Sequence, residues 1–538
     1  MLKKIICKEF QQPEVTFHNG LNVVCGDNVG SNSIGKTTFL MIIDFVFGGS
    51  SYIDVNRDVV KHVGHHSIKF IFEFNGKNYY FSRSTSESNK VYSCTETFEL
   101  QKEYKVSEFC SWLQQNYNCE LFQLSFRNII GRYFRIYGKE NLNEKKPLHY
   151  VSGEKVETEI INLVKLFDKY EPLYNLSSYI KDVSEKEKLL KQANSHDILN
   201  FPTKKSSYTQ NIKEINSLSN ELNNLINELQ TGTTDLESLI SSELLAFQSK
   251  KEAINIEITR RKVRLKRLEK NLSARTKKLS TELGEITNFF NEINTERLQE
   301  IDKFHADLSV ILKKNIKKEQ KATEKELVTY QEQLAQLQLS INNILDEKRA
   351  TKLPVNRILE LRSAIDKLEN QNKMYEERLE LSRERAKETE AYDNLWFNQV
   401  DEISNTINTH MQTLNKIVYP NGRQSPVLNL HKKNYTFQTS NDTGTGTAFV
   451  NLLIFDLSVL TLTSLPALAH DLPLIKNIEN NAFEQILKLY NTFEKQIFIV
   501  VDKSSSYPTD AQKIISENTV LNLNDNKTLF KLSWKHEE

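Results

Sequence analysis

Residues Gly30–Thr37 read GSNSIGKT, and they match the pattern G-x-x-x-x-G-K-[ST] at each position that the pattern constrains. The segment before them, Leu21–Cys25, is short and apolar and predicts a strand, whereas Thr38–Phe47 predicts an apolar helix. A strand, this loop and a helix in succession are the setting that a phosphate-binding loop requires. The stretch therefore predicts a nucleotide site in an α/β fold rather than an ordinary glycine-rich turn.

The chemistry of the loop follows from its residue types. Gly30 and Gly35 allow the backbone to approach phosphate groups closely, so that amide groups and the helix N-terminus face the anion. Lys36 is a cation for the β- and γ-phosphates, and the Thr37 hydroxyl is a ligand for Mg²⁺. Four residues, starting with Gly26, separate the strand from Gly30, so the loop is longer than usual or Gly26 takes part in it. The sequence predicts ATP and Mg²⁺ as cofactors, bound by Gly30, Ser31, Asn32, Ser33, Ile34, Gly35, Lys36, Thr37 and Thr38.

The middle of the chain has almost no residues that interrupt helices. Between positions 208 and 418 only Gly232, Gly284 and Pro354 occur, and the segment is rich in Glu, Lys, Leu, Asn and Gln. Apolar residues follow steps of three and four, as in the run from Ile212 to Leu229, and they form narrow stripes. This pattern favours a long antiparallel coiled coil over the alternative, a helical bundle domain.

Three regions are predicted: residues 1–170, the helical arms 171–415, and residues 416–538. Arms of equal length place the apex near 284–296, with Pro354 as a rival turn or a joint within one arm.

The two flanking regions alternate strands and helices, and neither looks complete alone. The turn Asn75-Gly76 predicts a hairpin. The other predicted strands are Leu2–Cys7, Ile68–Phe74, Asn78–Arg83, Val427–Leu430, Tyr435–Thr439, Ala467–His470 and Gln496–Val501. A coiled-coil hairpin returns its second end to its first, so the fold class expected is α/β, with one ATPase head assembled from N- and C-terminal segments.

The composition of the chain limits the classes of function further. The net charge is +1, so any nucleic-acid surface must be local. The five cysteines form no CxxC pair, which favours a reduced, cytoplasmic protein without a zinc site. The apolar stretch Ala448–Leu468 contains Asn451 and Asp456, and it predicts a buried helix rather than a membrane span. We expect no membrane partner.

The order of these features resembles that of SMC and RecN-like ABC ATPases, in which Asn32 is typical of the loop. One bacterial branch is similar in finer detail. The shared segments are Thr443-Gly444-Thr445-Gly446, Ile454-Phe455-Asp456-Leu457, His470-Asp471-Leu472-Pro473-Leu474, Phe304-His305 and Ser125-Phe126-Arg127. Members of that branch occur in antiphage operons, including Lamassu-like and ABC-three-component systems.

The resemblance implies roles for residues outside the phosphate loop. Gly444 and Gly446 stand where a signature loop caps the γ-phosphate of a partner head, which implies a homodimer held by ATP-bound heads. Asp471 would hold Mg²⁺ with Thr37 and act with Lys36 in catalysis, and Gln123 would be the Q-loop residue. Leu472 stands where a catalytic glutamate is expected, and the spacing of Glu479 and Glu484 is wrong for a replacement. Asp502 stands where many ABC heads carry a switch histidine.

We therefore expect slow hydrolysis, or ATP that acts mainly to hold the dimer together.

The sequence says less about the binding partners than about the nucleotide site. Basic runs on the arms contact double-stranded DNA or form an ordinary solvated face; they are Arg260-Arg261-Lys262, Arg264, Lys266-Arg267, Lys313-Lys314 and Lys317-Lys318. Arg127, Arg132 and Arg135 contact phosphate or DNA, or face solvent on an amphipathic helix, and Arg83 is a weaker nucleotide candidate. No nuclease site is visible, so the resemblance implies an effector and a small accessory subunit encoded in the same operon. The alternatives are a DNA-repair or chromosome-maintenance ATPase and a non-hydrolysing scaffold.

Overall fold

The computed structural model describes residues 1–27, 34–195, 199–230, 242–273, 295–347, 352–440 and 444–532. These residues form two compact units. Residues 1–178 and 389–538 form one unit, which we call the head unit, and residues 179–388 form the other, the arm unit.

A parallel sheet in the head unit combines both ends of the chain. Its five strands are β3 (Leu21–Cys25), β8 (Phe134–Arg135), β11 (Ala467–His470), β12 (Gln496–Val501) and β13 (Thr519–Asn522). The order across the sheet is β13-β3-β12-β11-β8, and adjacent strands run parallel. Two strands come from the N-terminal segment and three from the C-terminal segment, so neither segment can form this sheet alone. The predicted split head is confirmed.

A second sheet of the head unit is antiparallel and contains only N-terminal strands. They are β1 (Leu2–Ile6), β2 (Glu14–Thr16), β4 (Ser67–Phe74), β5 (Lys77–Ser84), β6 (Lys90–Cys94) and β7 (Leu100–Lys105), in the order β2-β1-β4-β5-β6-β7. Asn75 and Gly76 join β4 to β5 with φ values of 51° and 74°, as a type I′ turn requires. A separate hairpin pairs β9 (Val427–Leu430) with β10 (Tyr435–Gln438).

Helices cover these sheets. They are α1 (Lys36–Val46), α2 (Ser51–Val55), α3 (Arg57–Val63), α4 (Val106–Asn116), α5 (Phe126–Ile130), α6 (Val156–Leu166), α12 (Thr445–Leu462), α13 (Leu472–Ile475), α14 (Asn480–Tyr490) and α15 (Thr509–Glu517). The apolar helix α12 is buried as predicted, because Asn451 bonds Thr439 and Asp456 pairs with an arginine in the core. No helix of the described residues is both long and apolar enough to cross a membrane.

The long helices are α7 (Glu171–Ser195), α8 (Lys205–Gln230), α9 (Ser242–Ser273), α10 (Thr295–Glu347) and α11 (Lys352–Val418). Within the arm unit, α9 and α10 pair antiparallel, because Arg261 bonds Glu326 whereas the later Arg264 bonds the earlier Glu319. The predicted antiparallel helical section is confirmed. Most of the predicted apex, 284–296, lies outside the described residues. Pro354 lies in the first turn of α11, where its missing N–H is tolerated. Residues 348–351 are outside the described residues, so both interpretations of Pro354, a turn or a joint, stay predictions.

Candidate functional site

The end of the phosphate loop lies against the C-terminal segment. Gly30, Ser31, Asn32 and Ser33 are outside the described residues. Ile34 is buried, and its carbonyl accepts a hydrogen bond from the Leu529 amide at 3.0 Å. Gly35 has a φ of 98°, and a Cβ there would lie 2.4 Å from Leu529 Cβ. Only glycine fits this position, which begins helix α1 and thereby orients Lys36, Thr37 and Thr38.

Lys36 forms an ion pair with Asp502 that the sequence did not predict. The Lys36 Nζ atom lies 2.7 Å from Asp502 Oδ1 and 2.8 Å from Oδ2. Asp502 directly follows β12, which lies between the strand of the phosphate loop and the strand of Asp471. A Cβ on Gly26 would be 1.8 Å from Asp502 Oδ1 and 3.0 Å from Lys36 Cδ. Gly26 therefore makes room for this pair, which agrees with the second of the two interpretations of the long loop.

Thr37 and Asp471 are 434 residues apart in sequence and adjacent in the fold. The Thr37 hydroxyl donates to Asp471 Oδ1 at 3.2 Å. Asp471 also accepts from the Leu472 amide at 2.8 Å and from the Tyr137 amide at 3.0 Å. Burial raises the pKa of Asp471, and these three hydrogen bonds oppose the rise. A hydroxyl beside a buried carboxylate supplies the hard oxygen ligands that Mg²⁺ prefers, so these residues fit the predicted ion.

The residues after Asp471 provide no acidic neighbour. Leu472 begins α13, whose first turn is capped by the Asp471 side chain. Glu484 bonds Lys488 at 2.6 Å on α14, and Glu479 is the residue before that helix. The structure thus offers no glutamate at the position where the resemblance expects a catalytic base.

Gln123 is not brought to this site by any contact of the described residues. Its side chain is exposed, and its carbonyl accepts a hydrogen bond from Lys165. The strand of Asp471, β11, lies between β12 and β8, and the residue beyond β8 whose amide bonds Asp471 is Tyr137. Sequence reasoning missed Tyr137, because only the pairing of β8 with β11 shows which loop reaches the site.

Two of the candidate arginines are buried structural residues, which corrects both interpretations given to them. Arg135 is fully buried and makes two hydrogen bonds to Asp456, one of them at 2.7 Å. Arg132 bonds both oxygens of Glu154, at 2.8 and 3.1 Å. The expected amphipathic helix ends at Ile130, so neither arginine lies on it or faces solvent.

One group of the described residues has metal-ligand types close together. The ligand atoms of His149, Glu154 and Glu159 lie within 4.8 Å of one another. Arg132 already occupies both oxygens of Glu154, and His149 Nδ1 lies 2.7 Å from Glu159 Oε1. The group is accounted for as an ion-pair network.

Helix α12 begins three residues earlier than the predicted Ala448. Gly444 is exposed and caps the helix, and Gly446 lies in its first turn. A Cβ on Gly446 would lie 2.7 Å from the Asn477 carbonyl oxygen, so packing within the same chain requires this glycine. An exposed helix N-terminus at Gly444 is compatible with the predicted signature loop, which stays a prediction.

Two family models match parts of the chain. Residues 7–237 match the AAA domain. Residues 406–534 match a family described as an uncharacterised protein conserved in bacteria (DUF2326). No curated protein matches the chain. The AAA domain match covers the phosphate loop and the strands around it, whereas Asp471 and Asp502 fall within the second match.

The solved structures to which the chain is similar include two from Pyrococcus species. One is an Smc head domain with a coiled coil and joint from Pyrococcus yayanosii, 13% identical, covering 97% of this chain and 94% of that chain with a TM-score of 0.36. The other is an Smc head domain with an extended coiled coil, bound to the C-terminal domain of ScpA, from Pyrococcus furiosus, 12% identical, covering 97% and 92% with a TM-score of 0.35.

The fold class is the one predicted. It is an α/β head assembled from N- and C-terminal segments, with long antiparallel helices in the intervening part of the chain, and its N-terminal segment matches the AAA domain.

Proposed function

We propose that this protein is an SMC-like ATPase whose heads bind Mg²⁺–ATP and dimerise on it. The observation that supports this most directly is the 3.2 Å hydrogen bond between Thr37 and Asp471, next to the buried Lys36 in the first turn of α1. A lysine, a hydroxyl and a carboxylate at the N-terminus of α1 are the groups that Mg²⁺–ATP requires. When bound, the ion would neutralise phosphate charge, with Thr37 and Asp471 as its protein ligands.

Nucleotide binding requires a change of partner at Lys36. In the structure its ammonium group is held by both oxygens of Asp502, so the phosphates must compete with that carboxylate. Asp502 follows β12, between the two site strands, and we propose that once released it orients water, since Leu472 stands where a glutamate is expected. Turnover should be slow for two reasons. The phosphates must first displace Asp502 from Lys36, and an aspartate would then take the place of the usual glutamate in orienting water.

Head dimerisation is the second part of the proposal. The exposed Gly444 begins α12, and the backbone amide groups of this first turn carry the positive end of the helix dipole. In the proposed dimer they cap the γ-phosphate bound by the partner head, and Gly446 supports the turn through its contact with Asn477.

DNA is proposed as the ligand of the arms. Arg261 and Arg264 are neutralised by glutamates, but the lysines of the basic runs are exposed and form no ion pair among the described residues; they are Lys262, Lys266, Lys313, Lys314, Lys317 and Lys318. Unpaired lysines along a helix contact a phosphate backbone without reading base sequence.

The biological role is proposed from the resemblance of the C-terminal motifs. We place the protein in the bacterial cytoplasm, where it controls an operon-encoded effector, such as a nuclease, with a small accessory subunit in antiphage or antiplasmid defence. A DNA-repair or chromosome-maintenance ATPase remains the alternative, and it would act without an effector.

The experiment is ATP turnover by the purified full chain, with and without linear double-stranded DNA, beside Lys36→Ala. Head dimerisation is followed in parallel by light scattering with ATP and with ADP. We expect ATP-dependent dimers, turnover that rises with DNA, and loss of both in the variant. Absence of ATP-dependent dimers and of Lys36-dependent ATP binding contradicts the proposal.

A second candidate function is a non-hydrolysing, ATP-locked scaffold. Leu472 beside Asp471 favours it, because no glutamate follows the Mg²⁺ carboxylate. Tight ATP binding with dimerisation, but without turnover in the presence of DNA and partners, would decide for the scaffold.

A further inference from the structure

A cavity of about 590 Å³ opens in the head unit at the C-terminal end of α1. Its walls come from the turn after α1, the start of α2, strand β5, helix α5 and the segments around residues 138–140 and 150–152. This volume lies in the range of small-molecule sites. The cavity is separate from the Thr37–Asp471 pair, which lies at the opposite end of α1.

Three basic side chains line the cavity, and one buried carboxylate faces them. Arg83 is 2% exposed, the Lys139 side chain 5% and the Arg127 side chain 19%. Asp44 is fully buried and pairs with Arg127 at 2.7 Å and with Lys139 at 3.3 Å. Burial alone raises the pKa of Asp44, but Arg127 and Lys139 bring it below its ordinary value. This buried cluster is therefore two positive charges in excess.

Arg83 carries one of these two excess charges. Its guanidinium donates to the carbonyls of Phe45, Gly49 and Ser88, and no carboxylate among the described residues forms an ion pair with it. Carbonyls satisfy its hydrogen-bonding groups, which caps the end of α1, but they leave its charge uncompensated in a buried setting. Burial lowers the pKa of Arg83 to about 9.

Two other buried arginines of the head unit have their charge balanced by a carboxylate. Arg132 and Arg135 each pair with one carboxylate, Glu154 and Asp456 respectively. Burial lowers the pKa of Lys139 to about 8, with Asp44 opposing and Arg127 adding to the effect. An anion in the cavity would restore the balance that the other pairs already have and would keep Lys139 protonated.

The remaining walls suit a small organic phosphate. Serine and asparagine side chains line the opening and can donate hydrogen bonds to phosphate oxygens; they are Ser50, Ser51, Ser88, Asn89 and Ser152. Val106 and the ring of Tyr150 supply apolar surface for the rest of a ligand. Asp54 and Glu140 also border the cavity, but both are exposed, so solvent and salt screen their charges. The three basic side chains are mostly buried, so a single phosphate group can reach them from the cavity, whereas the surface of a DNA duplex cannot.

We propose that this cavity is a second anion site, which binds a small phosphate-bearing ligand such as a phosphomonoester. The segment Tyr137-Gly138-Lys139 connects it to the ATP site, because the Tyr137 amide bonds Asp471 while Gly138 and Lys139 line the cavity. The binding step itself does not rest on ATP hydrolysis.

The test is calorimetric titration of the full chain with adenosine 5′-monophosphate, inorganic phosphate and adenosine as separate arms. We expect one of the two phosphate probes or both to bind, whereas adenosine does not. Lys139→Gln weakens that binding about tenfold through loss of one charge-assisted hydrogen bond. Ser152→Trp, at an exposed position of the rim, abolishes it by filling the opening. Lys145→Gln, an exposed lysine outside the cavity, leaves it unchanged.

Thermal melts show which variants remain folded, and Ser152→Trp keeps the test informative if Lys139→Gln does not fold. Lys36→Ala separates this site from the phosphate loop. Binding that disappears in Lys36→Ala and persists in Lys139→Gln and Ser152→Trp overturns the proposal, as does the absence of binding by both phosphate probes. Neither result depends on whether the protein hydrolyses ATP.

Discussion

The Lys36 ammonium group lies 2.7 Å and 2.8 Å from the two carboxylate oxygens of Asp502, with both side chains almost buried. The lysine that a phosphate loop offers to its ligand is thus already paired within the protein. A unit charge pair at about 4 Å is worth roughly 4 kcal/mol at an effective dielectric constant of 20. Desolvation of this nearly buried pair offsets much of that attraction, so the net effect on ATP affinity is smaller, and Asp502 is the first residue to change.

Asp502→Asn keeps the shape of the side chain and removes its charge. We expect ATP to bind about tenfold more tightly, which corresponds to about 1.4 kcal/mol, because the carboxylate charge that competes with the phosphates for Lys36 and repels them is removed. Turnover falls in the same variant if Asp502 orients water. Affinity is measured by titration with a fluorescent ATP analogue. Asp510→Asn, at a position 70% exposed, is the matched control, and weaker ATP binding by folded Asp502→Asn contradicts the competition.

The Mg²⁺ dependence of ATP binding should arise from Thr37 and Asp471. Thr37→Val removes the hydroxyl that bonds Asp471, so the variant gains little affinity from added Mg²⁺, whereas the wild-type chain gains at least about tenfold. Thr37→Ser restores the hydroxyl and should recover the effect. Titrations with and without chelator measure it. Equal Mg²⁺ dependence in Thr37→Val and wild type would place the ion elsewhere.

The Arg135–Asp456 pair should be essential for stability and not for nucleotide chemistry. Asp456→Ala leaves Arg135 buried without its carboxylate, which costs about 3–5 kcal/mol and lowers the melting temperature strongly. Glu319→Ala breaks an exposed pair with Arg264 and should cost less than about 1 kcal/mol. Thermal unfolding compares the two. Similar losses of stability in both variants would show that burial does not determine how much an ion pair stabilises the fold.

Acid should destabilise the fold through two buried histidines, His66 and His470, and through the half-buried His410. Burial lowers the pKa of His66, His410 and His470, with Asp456 opposing the shift at His470. The unfolded chain takes up protons on these groups as the pH falls through about 6.5, whereas the folded chain does not, so stability is complete above that pH and is lost below it. Each group contributes up to about 1.4 kcal/mol per pH unit. His470→Gln should flatten the dependence of melting temperature on pH, and exposed His18→Gln should not.

DNA binding should depend on unpaired lysines of the arm. Replacement of Lys313, Lys314, Lys317 and Lys318 by glutamine is expected to weaken binding of linear duplex DNA and to reduce the slope of log affinity against log salt by about one for each phosphate that the variant no longer neutralises. Arg264→Gln, at a residue already paired with Glu319, is the control and should change the slope less. Fluorescence anisotropy over a salt series measures both. An unchanged slope in the lysine variant would indicate that these lysines form an ordinary solvated face and do not contact DNA.

Much of the fold could be predicted because its signals are local. The strands β3, β11 and β12 match the predicted segments to the residue, and the Asn75-Gly76 turn lies where positive φ values were expected. Helical periodicity likewise identified the arms, since spacing along one helix reflects the face that it buries. The boundaries predicted at 170/171 and 415/416 stay predictions, and the two compact units divide elsewhere, after residues 178 and 388.

By itself the sequence determined the phosphate-loop pattern and a head made from both ends, because residue type and local spacing specify the loop and the breaker-free middle separates two incomplete flanks, while the role of Asp471 beside Thr37 came from the family resemblance. Only the tertiary structure decided the partner of Lys36, the contact of Tyr137 with Asp471, and which arginines are balanced by carboxylates. Those features depend on which strands lie side by side in the sheet, and on which charges burial forces together. Neither is encoded in a pattern of neighbouring residues, since the partners are up to 466 positions apart in the chain.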